Sequence, residues 1–374
     1  MKRILASVLT AATVLSLTAC ASVNNNSGTD SGKYEIAMVT DYGSIDDKSF
    51  NQGAWEGVEK YGKEKKISYQ YYRPTEKSTD GYLNGIEMAI NGGAKIVVCP
   101  GFLFEPAIFK AQDMHPDIKF IIIDGVPQNG DYTEFKTATN TYSILFAEQQ
   151  SGFLAGYAAV KDGYKKLGFL GGMAVPAVVR FGYGFIQGAE YAAKEMALPK
   201  DEIQIKYGYT GGFDPMPEYQ TKAASWYQSG TEIIFSCGGL VINNVTAAAE
   251  AAGSNKKVIG VDVDQKAESD TVITSAMKML SKTVFDGLSM FYDGKFPGGE
   301  NAVLGAKDDA IGLPDDFSRF KAFKKADYEK AYAMLKNDTD KLASAMIVDT
   351  ENGKAVTVKD IAGKMTLVKV EEVA

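Results

Sequence analysis

The strongest constraint on how this chain folds is a strand–helix alternation that runs once and then starts again about 135 residues later. In the first pass, apolar or alternating runs at Glu35–Thr40, Ile67–Tyr71, Lys95–Cys99 and Lys119–Asp124 read as strands. Helical spacing falls between them at Ser49–Tyr61, Ser78–Asn91 and Pro106–Met114. A connection through Thr137–Thr141 and an amphipathic helix, Ile144–Val160, lead to the second pass. There, strands are expected at Lys166–Leu170, Ile203–Tyr207, Glu232–Cys237 and Lys257–Val261, with helices at Gly184–Lys194, Pro217–Ser229 and Ile242–Ala252. Three stretches recur in order: Phe50-Asn-Gln-Gly-Ala54 with Phe185-Ile-Gln-Gly-Ala189, Ala94–Val98 with Thr231–Phe235, and Phe120–Asp124 with Val258–Asp262. Such a pattern predicts an α/β protein with two doubly wound, Rossmann-like lobes joined by a hinge and facing one another across a cleft.

After the second pass, Thr271–Lys278 and Ala302–Leu313 read as strands, and Met279–Asp293, Tyr328–Asn337 and Lys341–Asp349 as helical. Lys359–Val373 alternates without a clear assignment. The expected partition is residues 34–139 plus 266–298 for an N-terminal lobe and 140–265 plus 299–374 for a C-terminal lobe.

The length of 374 residues allows two cores. A net charge of −7 and a pI near 5.1 argue against nucleic acid as a partner, since phosphate binding needs a basic surface. At the N-terminus, Lys2 and Arg3 precede the apolar run Ile4–Leu17, too short and too interrupted to span a bilayer. It ends in Leu17-Thr-Ala-Cys20, which resembles the lipobox of bacterial lipoproteins. Residues 1–19 are therefore expected to be a signal peptide, Cys20 the lipidated residue, and 20–33 a flexible tether rich in Asn, Ser and Gly. That places the protein on a cell membrane, facing away from the cytoplasm. Cys99 and Cys237 end apolar runs, as buried thiols do, and His115 is the sole histidine. Zinc sites and histidine-based triads are thereby disfavoured, and neither a metal nor a cofactor is expected.

The functional reading centres on Thr40–Gln52, where a strand ends and a helix opens. Asp41, Asp46, Asp47, Phe50, Asn51 and Gln52 crowd this turn, on the sheet edge where open α/β folds bind ligands. Asp124, Asp262 and Asp264 lie at other strand ends. An aspartate after a strand can simply cap a turn, but Asp41, Asp124 and Asp262 together suit the hydroxyls of a vicinal diol or the N–H edge of a ring. Phe50 and Phe213 are the flat contacts for such a ring, with a loop anchor as the alternative for Phe213. Lys278 follows an apolar run and either joins the site or starts a helix, while Arg180 either faces the cleft or balances nearby acids. No general base stands beside an activated nucleophile, so a binding protein is expected rather than an enzyme. Gly182-Tyr-Gly184-Phe-Ile-Gln-Gly188 misses the dinucleotide fingerprint by one position.

The run Asp41-x-Gly-x-Ile-Asp-Asp-x-Ser-Phe-Asn-Gln52, followed by Ala54-Trp-Glu-Gly57, resembles the opening motif of the basic membrane protein family. These are purine-nucleoside-binding lipoproteins of ABC importers. Gly152-Phe-Leu-Ala-Gly156, Gly168-Phe-Leu-Gly-Gly172, Phe213-Asp-Pro215, Gly260-Val-Asp-Val-Asp-Gln265 and Thr274-Ser-x-x-Lys278 follow the same family order. Asp46 departs from it, standing where the family more often carries Asn. The resemblance implies a type I periplasmic-binding fold with a nucleoside between its lobes. Phe50 and Phe213 would sandwich the base, and Asp41 with Asn51 would read its edge. Asp124, Asp262 and Lys278, with Gly238 and Gly239, would hold the ribose. It further implies a monomeric carrier of guanosine, inosine or adenosine that serves an ABC permease and its ATPase. A sugar or autoinducer as ligand, or an adhesin role, are the alternatives.

Overall fold

The computed structural model describes residues 33–373, so the expected signal peptide, Cys20 and all but the last residue of the tether lie outside the described residues. The first stretch runs β1 (Ile36–Val39), α1 (Phe50–Lys65), β2 (Tyr69–Tyr72), α2 (Thr79–Asn91), β3 (Ile96–Pro100), α3 (Glu105–Met114), β4 (Lys119–Ile123) and β5 (Thr141–Phe146). The alternation continues through α4 (Glu148–Lys161), β6 (Lys166–Gly171), α5 (Pro176–Glu195), β7 (Gln204–Tyr209), α6 (Pro217–Gln228), β8 (Ile233–Cys237), α7 (Val241–Ala252) and β9 (Lys257–Asp262). Then come β10 (Val272–Lys278), α8 (Leu280–Tyr292), β11 (Asn301–Leu304), β12 (Ile311–Gly312) and α9 (Lys325–Lys336). A final segment holds β13 (Thr350–Glu351), β14 (Lys354–Ala355), α10 (Val358–Lys364) and β15 (Lys369–Glu372).

Among the described residues, the strands form two large sheets and one small hairpin, β13–β14. The first sheet has the order β11-β5-β4-β3-β1-β2 and is parallel throughout. The second runs β12-β10-β9-β8-β6-β7-β15, with only β12 antiparallel. Strands β1, β3 and β8 are buried along their whole length, because helices cover both faces of a parallel sheet. Continuous runs such as Ile96-Val-Val-Cys-Pro100 are therefore their natural sequence.

The chain crosses between the sheets three times, after β5, after β10 and after β11. This shifts the expected lobe boundaries. Residues 141–146 and 301–304, expected in the C-terminal lobe, pair in the first sheet; 272–278, expected in the N-terminal lobe, pair in the second. Helix α8 does pack on the first lobe: a Cβ added at Gly57 of α1 would come within 2.6 Å of the Ser281 carbonyl oxygen. Other expectations are also corrected. The connection and early helix around residues 141–147 are strand β5, since a single residue, Ala147, separates it from α4. The single strand Ala302–Leu313 is two, split by a turn at Ala306–Asp308. Helix α5 begins at Pro176 rather than Gly184, and Lys341–Asp349 is turns rather than helix.

Helices α4 and α5 meet backbone to backbone. Cβ atoms placed at Gly152, Gly156, Gly184 or Gly188 would fall 2.0–2.1 Å from a carbonyl oxygen of the opposite helix. Further along α5, residues 180, 183, 187 and 190 share one face by their helical spacing and grip the C-terminal segment. Arg180 bonds Asp349, Tyr183 donates to the Val356 carbonyl at 2.6 Å, and Gln187 exchanges two bonds with Ile347. Glu190 accepts the Thr366 hydroxyl at 2.6 Å and the amides of Thr366, Leu367 and Val368 at 2.9–3.0 Å, and against burial these donors, the hydroxyl first, hold its pKa at about 2. That grip seats β15 against β7, in parallel register from Lys369 opposite Gln204.

Candidate functional site

Strand β1 ends at the turn that opens α1. The first amides of a helix lack partners within it, and here Asp47 supplies them, accepting from the N–H groups of Ser49 at 2.9 Å, Asn51 at 2.9 Å and Gln52 at 3.1 Å. Ser49, at the N-cap position, is thereby released from capping, and its hydroxyl donates instead to Asp262 Oδ2 at 2.6 Å. Asn51 Nδ2 donates to both Asp41 Oδ1 and Asp47 Oδ2 at 2.9 Å. The Gly43 amide donates to the same Asp41 oxygen at 2.6 Å, leaving Oδ2 toward Gly101. Burial raises the Asp41 pKa, against the opposing pull of these donors.

Asp124 and Asp262 stand at the ends of β4 and β9, both with left-handed backbone, φ 58° and 66°. Such a conformation is unusual outside glycine, and Asp is among the residues that tolerate it. Between them lies Lys278, the last residue of β10. Its ammonium forms a close ion pair with Asp124 Oδ2, lies 3.2 Å from Glu148 Oε1 and 3.9 Å from Asp262 Oδ1. It also stands 5.0 Å from the ring centre of Phe50, 5.4 Å from Phe181 and 5.5 Å from Phe146, within cation–π range of all three.

The electrostatics follow from burial and crowding. Burial raises the pKa of Asp124 to about 6 against the pull of Lys278, its closest partner, with Glu148 and Asp262 adding smaller raising effects. Asp262 is raised by burial as well. Burial alone would lower Lys278, but the surrounding acids hold it above its ordinary value. Burial would raise Glu148, yet Arg180 and then Lys278 bring it below the usual carboxylate range. Among the described residues, Asp124 Oδ1 is buried without a hydrogen-bond partner. The junction thus offers a fixed cation and an acceptor oxygen ready for a hydroxyl.

Phe213 lies in the loop after β7. Its ring rests on bare backbone: a Cβ at Gly172 would be 2.4 Å from the ring, and one at Gly238 3.0 Å. Its carbonyl accepts the Leu240 amide at 3.1 Å, and Gly239 between them takes a left-handed turn at φ 46°. Glycine is therefore required beneath this ring.

The expected site residues accordingly form three groups. Asp41 and Asn51 form one; Phe50, Asp124, Asp262 and Lys278 form the second, tied to the first through Ser49 and Asn51 at the head of α1. Phe213, Gly238 and Gly239 form the third, at the carboxyl ends of β7 and β8 in the second sheet. No hydrogen bond, ion pair or ring stacking joins this third group to the others among the described residues. An open groove of about 480 Å³ between α1, the β9 end and the start of α8 reaches Asp262 and Lys278, but neither Phe50 nor Phe213 lines it. Asp264 is exposed and accepts the Lys266 amide at 3.0 Å, a turn cap outside the cluster. Asp46 is likewise exposed and pairs with the Ser44 hydroxyl, so this departure leaves the buried cluster unaltered. Arg180 joins the acids, donating from Nε to Glu148 at 2.6 Å.

Glu148 went unanticipated, as did the capping role of Asp47 and the rings of Phe146 and Phe181. An acid wedged between the apolar runs Ile144–Ala147 and Phe153–Val160 is the one signal that marks Glu148.

A family profile described as "Bmp: ABC transporter substrate-binding protein PnrA-like" matches residues 34–345. The chain is 33% identical over 338 residues to the ABC transporter nucleoside-binding protein BmpA of Lactococcus lactis subsp. cremoris, covering 83% of this chain and 91% of that one. It is 31% identical over 287 residues to basic membrane protein A2 of Borrelia garinii subsp. bavariensis, covering 76% and 80%. An ABC transporter solute-binding protein structure from Aeropyrum pernix aligns with a TM-score of 0.66 at 22% identity, over 84% of this chain and 90% of that one. The fold is the type I periplasmic-binding-protein fold, α/β with two lobes.

Proposed function

Because the chain belongs to the Bmp family of PnrA-like ABC transporter substrate-binding proteins, we propose that its ligand is an uncharged purine nucleoside held between the two lobes. Proteins of this family are carriers rather than enzymes: they bind a small ligand outside the cytoplasm and deliver it to a permease. The nucleoside itself is suggested by the relative from Lactococcus lactis, whose description names that ligand class.

The observation that carries this reading is the Lys278 junction, where buried acids from both lobes, Asp124 and Asp262, converge on one ammonium beside the Phe50 ring. A ribose presents two adjacent hydroxyls, each able to donate to a carboxylate and accept from an ammonium. The unpartnered Asp124 Oδ1 fits such a donor. The Phe50 and Phe213 rings supply flat faces for a base, each stacked contact contributing about 1–3 kcal/mol. Asp41 is the acceptor for its edge, held in place by Asn51, whose two amide N–H groups serve Asp41 and Asp47. Net acidity around the junction disfavours a phosphorylated ligand. Binding closes the lobes over the nucleoside, and the closed form docks on the permease as a monomer. A lipid on Cys20 holds the protein at the membrane.

Calorimetry with guanosine, inosine, adenosine, cytidine, uridine and a pyranose tests the ligand. Saturable binding of the purine nucleosides is expected; a preference for the pyranose, or no binding of any nucleoside, overturns the reading. The anchor is tested separately: Cys20→Ala should release the protein from the membrane fraction, and unchanged retention would refute lipidation.

A further inference from the structure

Lys278 can hold a ligand only if its ammonium stays at one point among competing acids. Asp124 and Asp262 approach it from β4 and β9 and are themselves offered to the ligand. Glu148, at the first position of α4 and completely buried, is the remaining acid around it. Its two oxygens divide the work: Oε1 faces Lys278 at 3.2 Å, while Oε2 accepts Arg180 Nε at 2.6 Å. Arg180, on α5, then donates from Nη1 to Asp349 Oδ1 at 3.1 Å. Asp349 belongs to the C-terminal segment gripped by the Arg180, Tyr183, Gln187 and Glu190 face, beyond the residues 34–345 that match the family profile. A continuous chain of charges therefore runs from the site to the C-terminal segment.

We propose that Glu148 and Arg180 are positioning residues that fix the Lys278 ammonium between Asp124 and Asp262, and that Asp349 makes the C-terminal segment a tuner of ligand affinity. This rests on the reading of Lys278 as a ligand contact. The geometry favours a positioning role over simple charge balance. Glu148 lies at the crossover from the first sheet to the second, and α4 is locked to α5 by their glycine contacts. The carboxylate, its arginine and the helix pair form one rigid mount, and a shift of the C-terminal segment would be felt at Arg180 first. The charged groups facing the mount are Asp124 on β4, Asp262 on β9, Lys278 on β10 and Asp349. In charge, Glu148 acts on Asp124 as well, helping to keep its pKa up.

The test compares the full chain with Glu148→Gln and Asp349→Asn by three readouts: guanosine affinity across pH 5–8, unfolding temperature, and the rate at which acetic anhydride acetylates Lys278 in the ligand-free protein, read by peptide mass spectrometry. Glu148→Gln is expected to weaken binding about ten- to a hundred-fold, and Asp349→Asn about two- to five-fold. Loss of the Glu148 charge lowers the Asp124 pKa, so the acid limb of the affinity profile should move to lower pH, a change that loosened packing would not produce. Lys278 should acetylate faster in both variants. Unchanged affinity and acid limb in Glu148→Gln overturn the proposal. So does an affinity loss that follows the unfolding temperature with the acid limb and acetylation rate unmoved. If the unaltered protein binds no nucleoside while Glu148→Gln still speeds acetylation, the ligand reading fails and the positioning of Lys278 stands; if acetylation is unmoved too, both fall.

Discussion

Asp124 and Asp262 hold matching places in the two lobes. Each follows a buried parallel strand, each adopts a left-handed backbone, and each is pushed by burial toward its neutral form. Their surroundings differ. Asp124 pairs closely with Lys278 and keeps one oxygen unpartnered among the described residues; Asp262 lies farther from the lysine and accepts the Ser49 hydroxyl from the opposite lobe. Duplication accounts for the symmetric part, a strained acid at each sheet edge. The asymmetry comes from one lysine at the end of β10, where β5, in the matching place of the first sheet, ends in Phe146. Strain of this kind costs about 1–3 kcal/mol per residue and persists only where the surroundings hold it.

Removing the lysine should have the largest effect. Lys278→Met leaves buried acids unpaired and is expected to cost about 3–5 kcal/mol of stability at neutral pH, measured by urea unfolding. The loss should shrink in acid. The Asp124 pKa is about 6 in the fold against 3.8 when unperturbed, so ionising it destabilises the fold above pH 6 and that penalty fades as pH falls toward 4. An equal loss at pH 7 and pH 5 would mean that the acids titrate independently of the lysine.

Next come the two aspartates themselves. Asp124→Asn and Asp262→Asn should each weaken nucleoside binding by about ten- to a hundred-fold in calorimetry. They should part in their pH dependence. Unaltered protein and Asp262→Asn lose affinity as pH drops through about 6, whereas Asp124→Asn stays flat there. Identical profiles would erase the distinction between the lobes. Phe50→Ala and Phe213→Ala each remove a stacking face, expected at about 1–3 kcal/mol of binding, with Phe50 the larger because its ring also meets Lys278.

The smallest effect separates two serines at helix starts. Ser78 accepts the Gly81 amide at 3.0 Å and caps α2, so Ser78→Ala should cost about 1 kcal/mol of stability and no affinity. Ser49 occupies the same position before α1 but serves Asp262, so Ser49→Ala should lower affinity with little effect on thermal unfolding. A reversed outcome would show that Ser49 is an ordinary cap.

Much of this architecture was legible beforehand, for a physical reason. Central parallel strands are covered on both faces, so β1, β3, β4, β8 and β9 announce themselves as apolar runs. Strand β5 did not, because it abuts α4 and the two share one apolar stretch that no local signal divides. The start of α5 was misplaced for a related reason. Phe185 reads as the counterpart of Phe50, yet Phe50 opens its helix half-buried while Phe185 is completely buried mid-helix. Asp41, Asp124, Asp262 and Lys278 could be chosen because strand ends locate them. Glu148 and the partner of Arg180 could not, since their meaning comes from the crossing of α4 and α5, which lies outside any local pattern.

Strand β15 carries a consequence for how copies of this protein behave together. Without residues 369–372, the backbone groups of Gln204–Tyr207 would form a bare ladder, a ready template for a strand from another molecule. Four residues, clasped through Glu190, thus cover an edge that would otherwise invite self-association; a chain clipped there by a protease should clump before its lobes unfold.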